Sequence, residues 1–421
     1  MKRTMLSKAL ASVLLGSQSR VGQHHTRCIV LGLRHSATQR SRILLFYRDV
    51  DGELPPQAGG RLCSRGPGGG PGTSRRSRRK EDRMRTVSVP YAASEKRLEV
   101  ADSDLLAVFD YPGIARPTPE QERATVERAL ERPIGAEPLA RLARPGKRVV
   151  ILVDDWTRPT PAHKVLPAIL ERLIEAGCSE ADISVVFAKG MHRRLSHEEM
   201  VRKVGREVVA RLDVANHDPH ADLVDLGKSP AGTPVLINRR VVEADLRIAV
   251  GSVMAHPIAG FGGGAKIVVP GVAGHETIHN NHCRADDPNI VIGRVEGNPI
   301  RADMEDIARM ARLDLIVNTI LSPGLEIVEA VAGDVVAAHR EGVARYRGLY
   351  GVAIEELAEV GVVGASPRDA TFGHATFALY AGAAMVKPGG SLILVAPCNT
   401  VRVRRKTGWD SGSRPPCLQM S

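Results

Sequence analysis

The sequence predicts an α/β fold: two α/β domains with mainly parallel sheets and an active-site cleft between them, the second domain cut short. Three observations predict it. Lys147–Val153 and Leu246–Val250 are β-branched apolar runs without polar alternation, the pattern of strands buried on both faces. Helical patterns lie between such runs, and strands alternating with helices build parallel sheets. After residue 398 the pattern stops, so the last strand lacks the elements that would cover it.

The elements follow in order. After the strand Lys147–Val153, a helical pattern over Lys164–Ala176 ends at Gly177, which can take the positive φ of a C-cap. Asp182–Phe187 is a second strand. Ser196-His-Glu-Glu199 is a capping box: the serine hydroxyl can accept the amide of Glu199 while that carboxylate reaches back. Leu246–Val250 and Leu313–Val317 are further strands. Leu325–Val331 fits strand or helix, and Asp334–Arg347 after Gly333 is helical. From about residue 350 a second α/β piece begins. It has a short strand within Tyr350–Gly364, a helix over Thr376–Met385, and a strand Ser391–Val395 after a Gly389-Gly390 turn. The expected domains are therefore 86–346 and an incomplete 347–398. They lie between a basic extension at 1–85 and an aberrant tail at 399–421.

Composition limits the function. The 421 residues are 43% hydrophobic and 25% charged, ordinary for a globular protein. No apolar run approaches the roughly 18–20 residues of a membrane helix, which argues against an integral membrane protein. The net charge of +11 invites a nucleic-acid reading, but it sits at the ends. Residues 1–85 hold 18 Lys/Arg against 5 Asp/Glu, and 401–421 hold 5 against 1, leaving the body near −6. Gly66–Gly72 and the basic run Arg75–Lys80 cannot bury enough apolar surface to offset ordering entropy. The extension reads as disordered or spurious, with translation from near Met84; an Arg-rich targeting segment is the alternative. Its arginines lack interleaved aromatics, so neither nucleic acid nor a membrane is an expected partner. The six cysteines show no metal-type spacing, and a reducing cytoplasm fits them.

Chemistry gathers after three strands. Asp154-Asp155-Trp-Thr157-Arg158 follows the first, Gly190-Met-His192-Arg193 the second, and Ser252-Val-Met-Ala-His256-Pro the third. Ligands of open α/β sheets sit outside the carboxyl ends of the strands, so three such ends argue for one composite site. Each has a bland counterpart: Asp155 and Thr157 could cap the next helix, and His192 or His256 could be structural. Gly260-Phe-Gly-Gly263-Gly264-Ala-Lys266 suits close approach of backbone amides to an anion. It lacks the Gly-Lys-Ser/Thr of a Walker loop, which disfavours NTPase chemistry. His275-Glu276-Thr-Ile-His279 matches the H-E-x-x-H zinc pattern, with Glu276 as a potential general base. It follows Pro270-Gly-Val-Ala-Gly274 and so opens a helix, a poor context for a zinc protease.

Together, DDWTRPTP (154–161), GMHRRLSHEE (190–199), HPIAGFGGGAKIVVPGVAG (256–274) and ETIHNNH (276–282) resemble the nickel-dependent lactate racemase family, over roughly residues 90–397. The resemblance implies racemisation or epimerisation of a 2-hydroxy acid. It also implies a nickel-pincer nucleotide, a pyridinium mononucleotide with nickel, covalently joined to Lys266. His282 would complete the nickel coordination. His192 and His256 would act as general acid/base, and Asp155, Thr157, Arg158, Gly263 and Gly264 would line the cofactor and substrate. Cofactor-biosynthesis proteins would be partners. Two departures stand out. His374 and Phe377 replace the Gln and Lys that face substrate in lactate racemases, which puts lactate itself in doubt. The rivals are a non-catalytic truncated homologue that binds nickel or nucleotide, and a zinc metallohydrolase built on His275, Glu276 and His279.

Overall fold

The computed structural model describes residues 82–92, 94–110, 114–366, 369 and 372–398, with the backbone of two short strands, Cys28–Ile29 and Ile43–Tyr47. The rest of 1–81 and all of 399–421 lie outside the described residues. The chain divides into two compact units. One runs from 113 to 353, and the other joins the residues up to 112 with those from 354 onward.

The larger unit is built on six strands: β1 (Val149–Asp154), β2 (Ile183–Ala188), β3 (Asp213–Asn216), β4 (Leu246–Ser252), β5 (Leu315–Leu321) and β6 (Ile327–Gly333). Their order is β6-β5-β4-β1-β2-β3, and every neighbouring pair is parallel except β5 with β6. The mainly parallel sheet is thus as the sequence predicts. All residues of β1 and β4 are buried, as their unbroken apolar runs require. The segment Leu325–Val331, open between helix and strand, forms the antiparallel edge strand β6.

Helices cover both faces: α1 (Pro119–Glu131), α2 (Ala162–Glu175), α3 (His197–Val204), α4 (His275–His282), α5 (Pro299–Met310) and α6 (Ala337–Tyr350). Alternation along β1 sends Ile151 and Val153 to one face and Val150 and Leu152 to the other. The first face packs on Val126 and Leu130 of α1 and Val165 and Ile169 of α2. The second packs on Ile300, Met304 and Ile307 of α5. The expected capping box is present: Ser196 and Glu199 open α3. Gly177, at φ +88°, lies just beyond α2.

Strand β1 has β2 on one side and β4 on the other, so the chain leaves it in opposite directions. Such a switch point opens a crevice at the carboxyl ends of the strands. The polar segments after β1, β2 and β4 all emerge there.

The smaller unit corrects the expected boundaries of 86–346 and 347–398. The hairpin of Met84–Tyr91 and Ser94–Ala101 buries Val87, Val89 and Val100 against Val362 and Val395, so residues 84–110 belong with the C-terminal piece. Ala358–Gly364 and Val386–Val395 run parallel, with the helix Phe372–Ala383 between them. Both positions that depart from the lactate pattern lie on this helix, and Phe377 is half-buried. Gly389 and Gly390 do not precede the last strand but sit inside it, where the register jumps from Ala358–Val386 to Val360–Ser391. A Cβ at Gly390 would meet the Glu359 carbonyl at 2.7 Å, so this bulge admits only glycine. Cys28–Ile29 and Ile43–Tyr47 join the same sheet, so the expectation of no folded element before residue 86 fails for these two strands and for Met84–Arg85. Among the described residues no helix is long and apolar enough to cross a membrane.

Phe187 of β2 is fully buried beside Ile151 and Val185 in the core beneath α2. Phe187→Ala should cost about 3–5 kcal/mol in denaturant unfolding. A cost under about 1 kcal/mol would contradict the closed packing of that sheet face.

Candidate active site

One cavity occupies the switch point. Asp154, Asp155 and Arg158 line it from β1, Lys189 and His192 from β2, Ser252 and Met254 from β4, and Gly263 and Lys266 from the glycine loop. With its solvent mouth it has about 460 Å³ free of atoms. The segments after β1, β2 and β4 therefore share one cavity.

Asp155 is buried and holds His192: Oδ2 lies 2.6 Å from Nδ1. Its Oδ1 accepts the Thr157 hydroxyl at 2.6 Å and the Thr157 amide at 3.1 Å. These contacts settle the bland alternative, because α2 begins after Pro161 with no side-chain cap. Burial opposes the charge of Asp155. The hydrogen bonds from His192 and Thr157 and the nearby cations outweigh it, so the carboxyl stays below the usual range. With Nδ1 engaged by the carboxylate, Nε2 of the half-exposed His192 is the nitrogen open to a ligand.

Beneath this pair runs a buried polar chain that sequence reasoning missed. Lys203 of α3 pairs with Asp154 at 2.6 Å and donates to the Arg158 carbonyl at 2.9 Å. Asp154 also accepts from Thr160, whose hydroxyl is 2.8 Å from Ser252, itself 2.8 Å from Thr319 of β5. The Asp155–Arg158 loop is thus pinned from below. Lys189, also unforeseen, donates to the carbonyls of Gly190 at 3.1 Å and His192 at 2.9 Å. Nothing but their position beyond strand ends marks these residues in the sequence.

The glycine loop is held from three distant elements. Arg301 of α5, wholly buried, donates to the carbonyls of Ala259, Phe261 and Gly263. Burial lowers its guanidinium to about 10, still protonated at neutral pH. Asn318 of β5 accepts the Gly264 amide at 2.8 Å, and His339 of α6 lies 2.9 Å from the Gly262 carbonyl. Gly263 takes φ +71°, and a Cβ there would meet Asn318 Oδ1 at 2.5 Å. The amides of Phe261, Gly262, Gly264 and Lys266 all bond within the protein. The expectation that Gly264 offers an amide is corrected: against the His339 ring, with its amide on Asn318, it has none to give a ligand.

The side-chain amine of Lys266 has no hydrogen bond or ion pair among the described residues. Burial, with Arg158 and Arg301 nearby, drives its ammonium far below the lysine range. His282 of α4 is lowered to about 4 by burial and by the charge of Lys266, and its Nδ1 is buried without a hydrogen-bond partner. His256 is buried on the turn after β4, and its Nδ1 accepts the amides of Ile258 at 3.3 Å and Ala259 at 3.2 Å. Neutral His256 therefore carries its proton on Nε2. Of the predicted residues, Asp155, Arg158, His192, Gly263 and Lys266 line the one cavity and Thr157 braces it. His256, His282 and Gly264 lie outside that lining.

The H-E-x-x-H segment is the start of α4. His275, Glu276 and His279 are exposed, while Thr277, Ile278 and Asn281 face inward. His275 stacks on His220 and His279, and His279 Nε2 lies 3.4 Å from Cys283 Sγ. Among the described residues no group of three His, Cys, Asp or Glu is placed to hold a metal.

With the site in place, its relatives can be set beside it. The lactate racemase N-terminal domain family matches residues 91–293. The lactate racemase of Lactiplantibacillus plantarum is 34% identical over 318 residues, 74% of this chain and 75% of that protein. That of Thermoanaerobacterium thermosaccharolyticum is 32% identical over 331 residues, 75% of each. The structure of the lactate racemase apoprotein from the latter organism aligns with a TM-score of 0.65 at 31% identity, covering 75% of both chains. Fold, site and relatives define an α/β isomerase of the racemase class. The chain belongs to the lactate racemase family.

Two outcomes follow from the geometry. Arg301→Met leaves three loop carbonyls without their donor and should cost at least about 2 kcal/mol in chemical unfolding. An unchanged midpoint would mean the loop does not depend on it. Asp155 is charged more readily when folded, so it stabilises the fold above about pH 4 and loses that contribution as pH falls through its lowered pKa. In Asp155→Asn the acid limb of stability against pH should be shallower than in wild type; superimposable limbs would contradict the pairing.

Proposed function

We propose that the chain racemises or epimerises a 2-hydroxy acid with a nickel-pincer nucleotide tethered to Lys266. One observation carries the reading: an amine with no hydrogen bond or ion pair among the described residues, driven towards its neutral form, shares a cavity with an Asp–His pair. A neutral amine is the form that can make a covalent bond to a cofactor.

The residues present suit that group. His282 is a neutral imidazole with an orphaned Nδ1, and imidazole is a good nickel ligand. Asn318 beside the glycine loop has a second buried orphan, Nδ2. Lys266 would hold the nucleotide, His282 its metal, and Gly263 would allow close approach of backbone. When bound, the group would supply an electron-poor ring able to take up and return a hydride.

The chain's own residues supply the proton chemistry and the orientation. Asp155 fixes His192 so that Nε2 can take the substrate hydroxyl proton and give it back. His256, held in one tautomer by two backbone amides, presents its Nε2–H and is the general acid on the opposite face. Arg158 offers a planar cation to a carboxylate; its only bonds among the described residues go to Thr157. Proteins that make the cofactor are the implied partners, and the cytoplasm the implied compartment.

Intact mass and metal analysis after co-expression with cofactor-making proteins test the reading. The expected result is nickel together with an adduct on Lys266; zinc without an adduct would overturn it. His192→Ala and His256→Ala should each lower kcat by roughly 10²–10⁴. His275→Ala should leave racemisation largely intact, because that ring faces solvent. If the adduct forms and a panel of chiral 2-hydroxy acids stays unchanged, the chain binds the cofactor without turnover.

A further inference from the structure

Two cations, Arg158 and Lys189, line the cavity beside the amine of Lys266. None of the three has an ion-pair partner among the described residues. The two carboxylates of the lining are already engaged, Asp154 with Lys203 and Asp155 with His192. Lys189 is buried, yet its ammonium bonds only to the neutral carbonyls of Gly190 and His192. An ammonium has three donors, so one remains beyond these two bonds. Neutral carbonyls orient a cation without cancelling it. Asp218 and Asp155 act on Lys189 from beyond ion-pair distance, and a buried charge left this way is costly unless a ligand of opposite sign completes it.

Tethering a cofactor at Lys266 would consume that amine, which leaves two cations and so room for two anionic groups. Arg158 accounts for one of them. We propose that Lys189 is the second anion anchor of the site, binding a carboxylate or phosphate group. The ligand group is either the second carboxylate of a dicarboxylic 2-hydroxy acid or the phosphate of a bound mononucleotide. The shared chemistry is an oxyanion seated on the ammonium beside the turn that carries His192. The inference rests on the racemase reading for the tether at Lys266 and for naming the substrate a 2-hydroxy acid.

Calorimetric titration of the full chain without cofactor tests it, with malate, lactate and inorganic phosphate as probes at low salt. Malate should bind roughly tenfold tighter than lactate, the worth of one charge-assisted hydrogen bond. Lys189→Gln should bring malate down to the level of lactate, and Lys189→Arg should restore most of the difference. If Lys189→Gln weakens phosphate and spares malate, the anchor serves a nucleotide phosphate. Unchanged affinity for both probes in a folded Lys189→Gln chain overturns the proposal. Should that variant not fold, the Lys189 ammonium resonance of the wild-type chain decides: it should shift on adding malate or phosphate, and silence with both overturns the proposal equally. Anion binding through Lys189 in a chain that never racemises would sink the racemase reading and leave this one standing.

Discussion

A single buried guanidinium fixes the geometry on which the site depends. Arg301 sits inside the protein and spends its donors on the carbonyls of Ala259, Phe261 and Gly263. A loop of glycines has few side chains to hold it and a large ordering entropy to overcome. Fixed bonds from α5, β5 and α6 supply the restraint that the loop's own sequence lacks. Lys266 follows directly, so its position beside the switch point is set by residues of distant elements.

The same logic orders the other wall of the cavity. Lys203 and Asp154 form a buried pair under the loop that presents Asp155, Thr157 and Arg158. Asp155 then orients His192, and Lys189 closes the turn on which His192 lies. Each of these side chains is held by a neighbour whose own geometry is fixed. Polar groups inside a protein must be satisfied. Here the satisfying partners are what make the site rigid.

Burial and charge divide the work among the basic groups. Desolvation drives Lys266 and His282 towards their neutral forms, which suits a covalent tether and a metal ligand. Arg158 and Lys189 line the same cavity without an ion pair among the described residues, which suits anionic ligands. The net charge of +11 is a poor guide to this arrangement, because residues 1–85 and 401–421 carry more than all of it and the body between them is near −6.

Much was legible in the amino-acid order alone. Unbroken apolar runs gave β1 and β4, the Ser196–Glu199 box gave the start of α3, and four ordered motifs named the family and most of the cavity's residues. These are local signals, carried by neighbours in sequence. The sequence could not decide that residues 84–110 pack with the C-terminal strands, because that depends on Val87 and Val89 meeting Val362 and Val395. Nor could it show that Gly264 has no amide to spare, or that Lys189 and Arg301 belong to the site. Those facts rest on contacts across tens of residues, and only the folded chain brings such partners together.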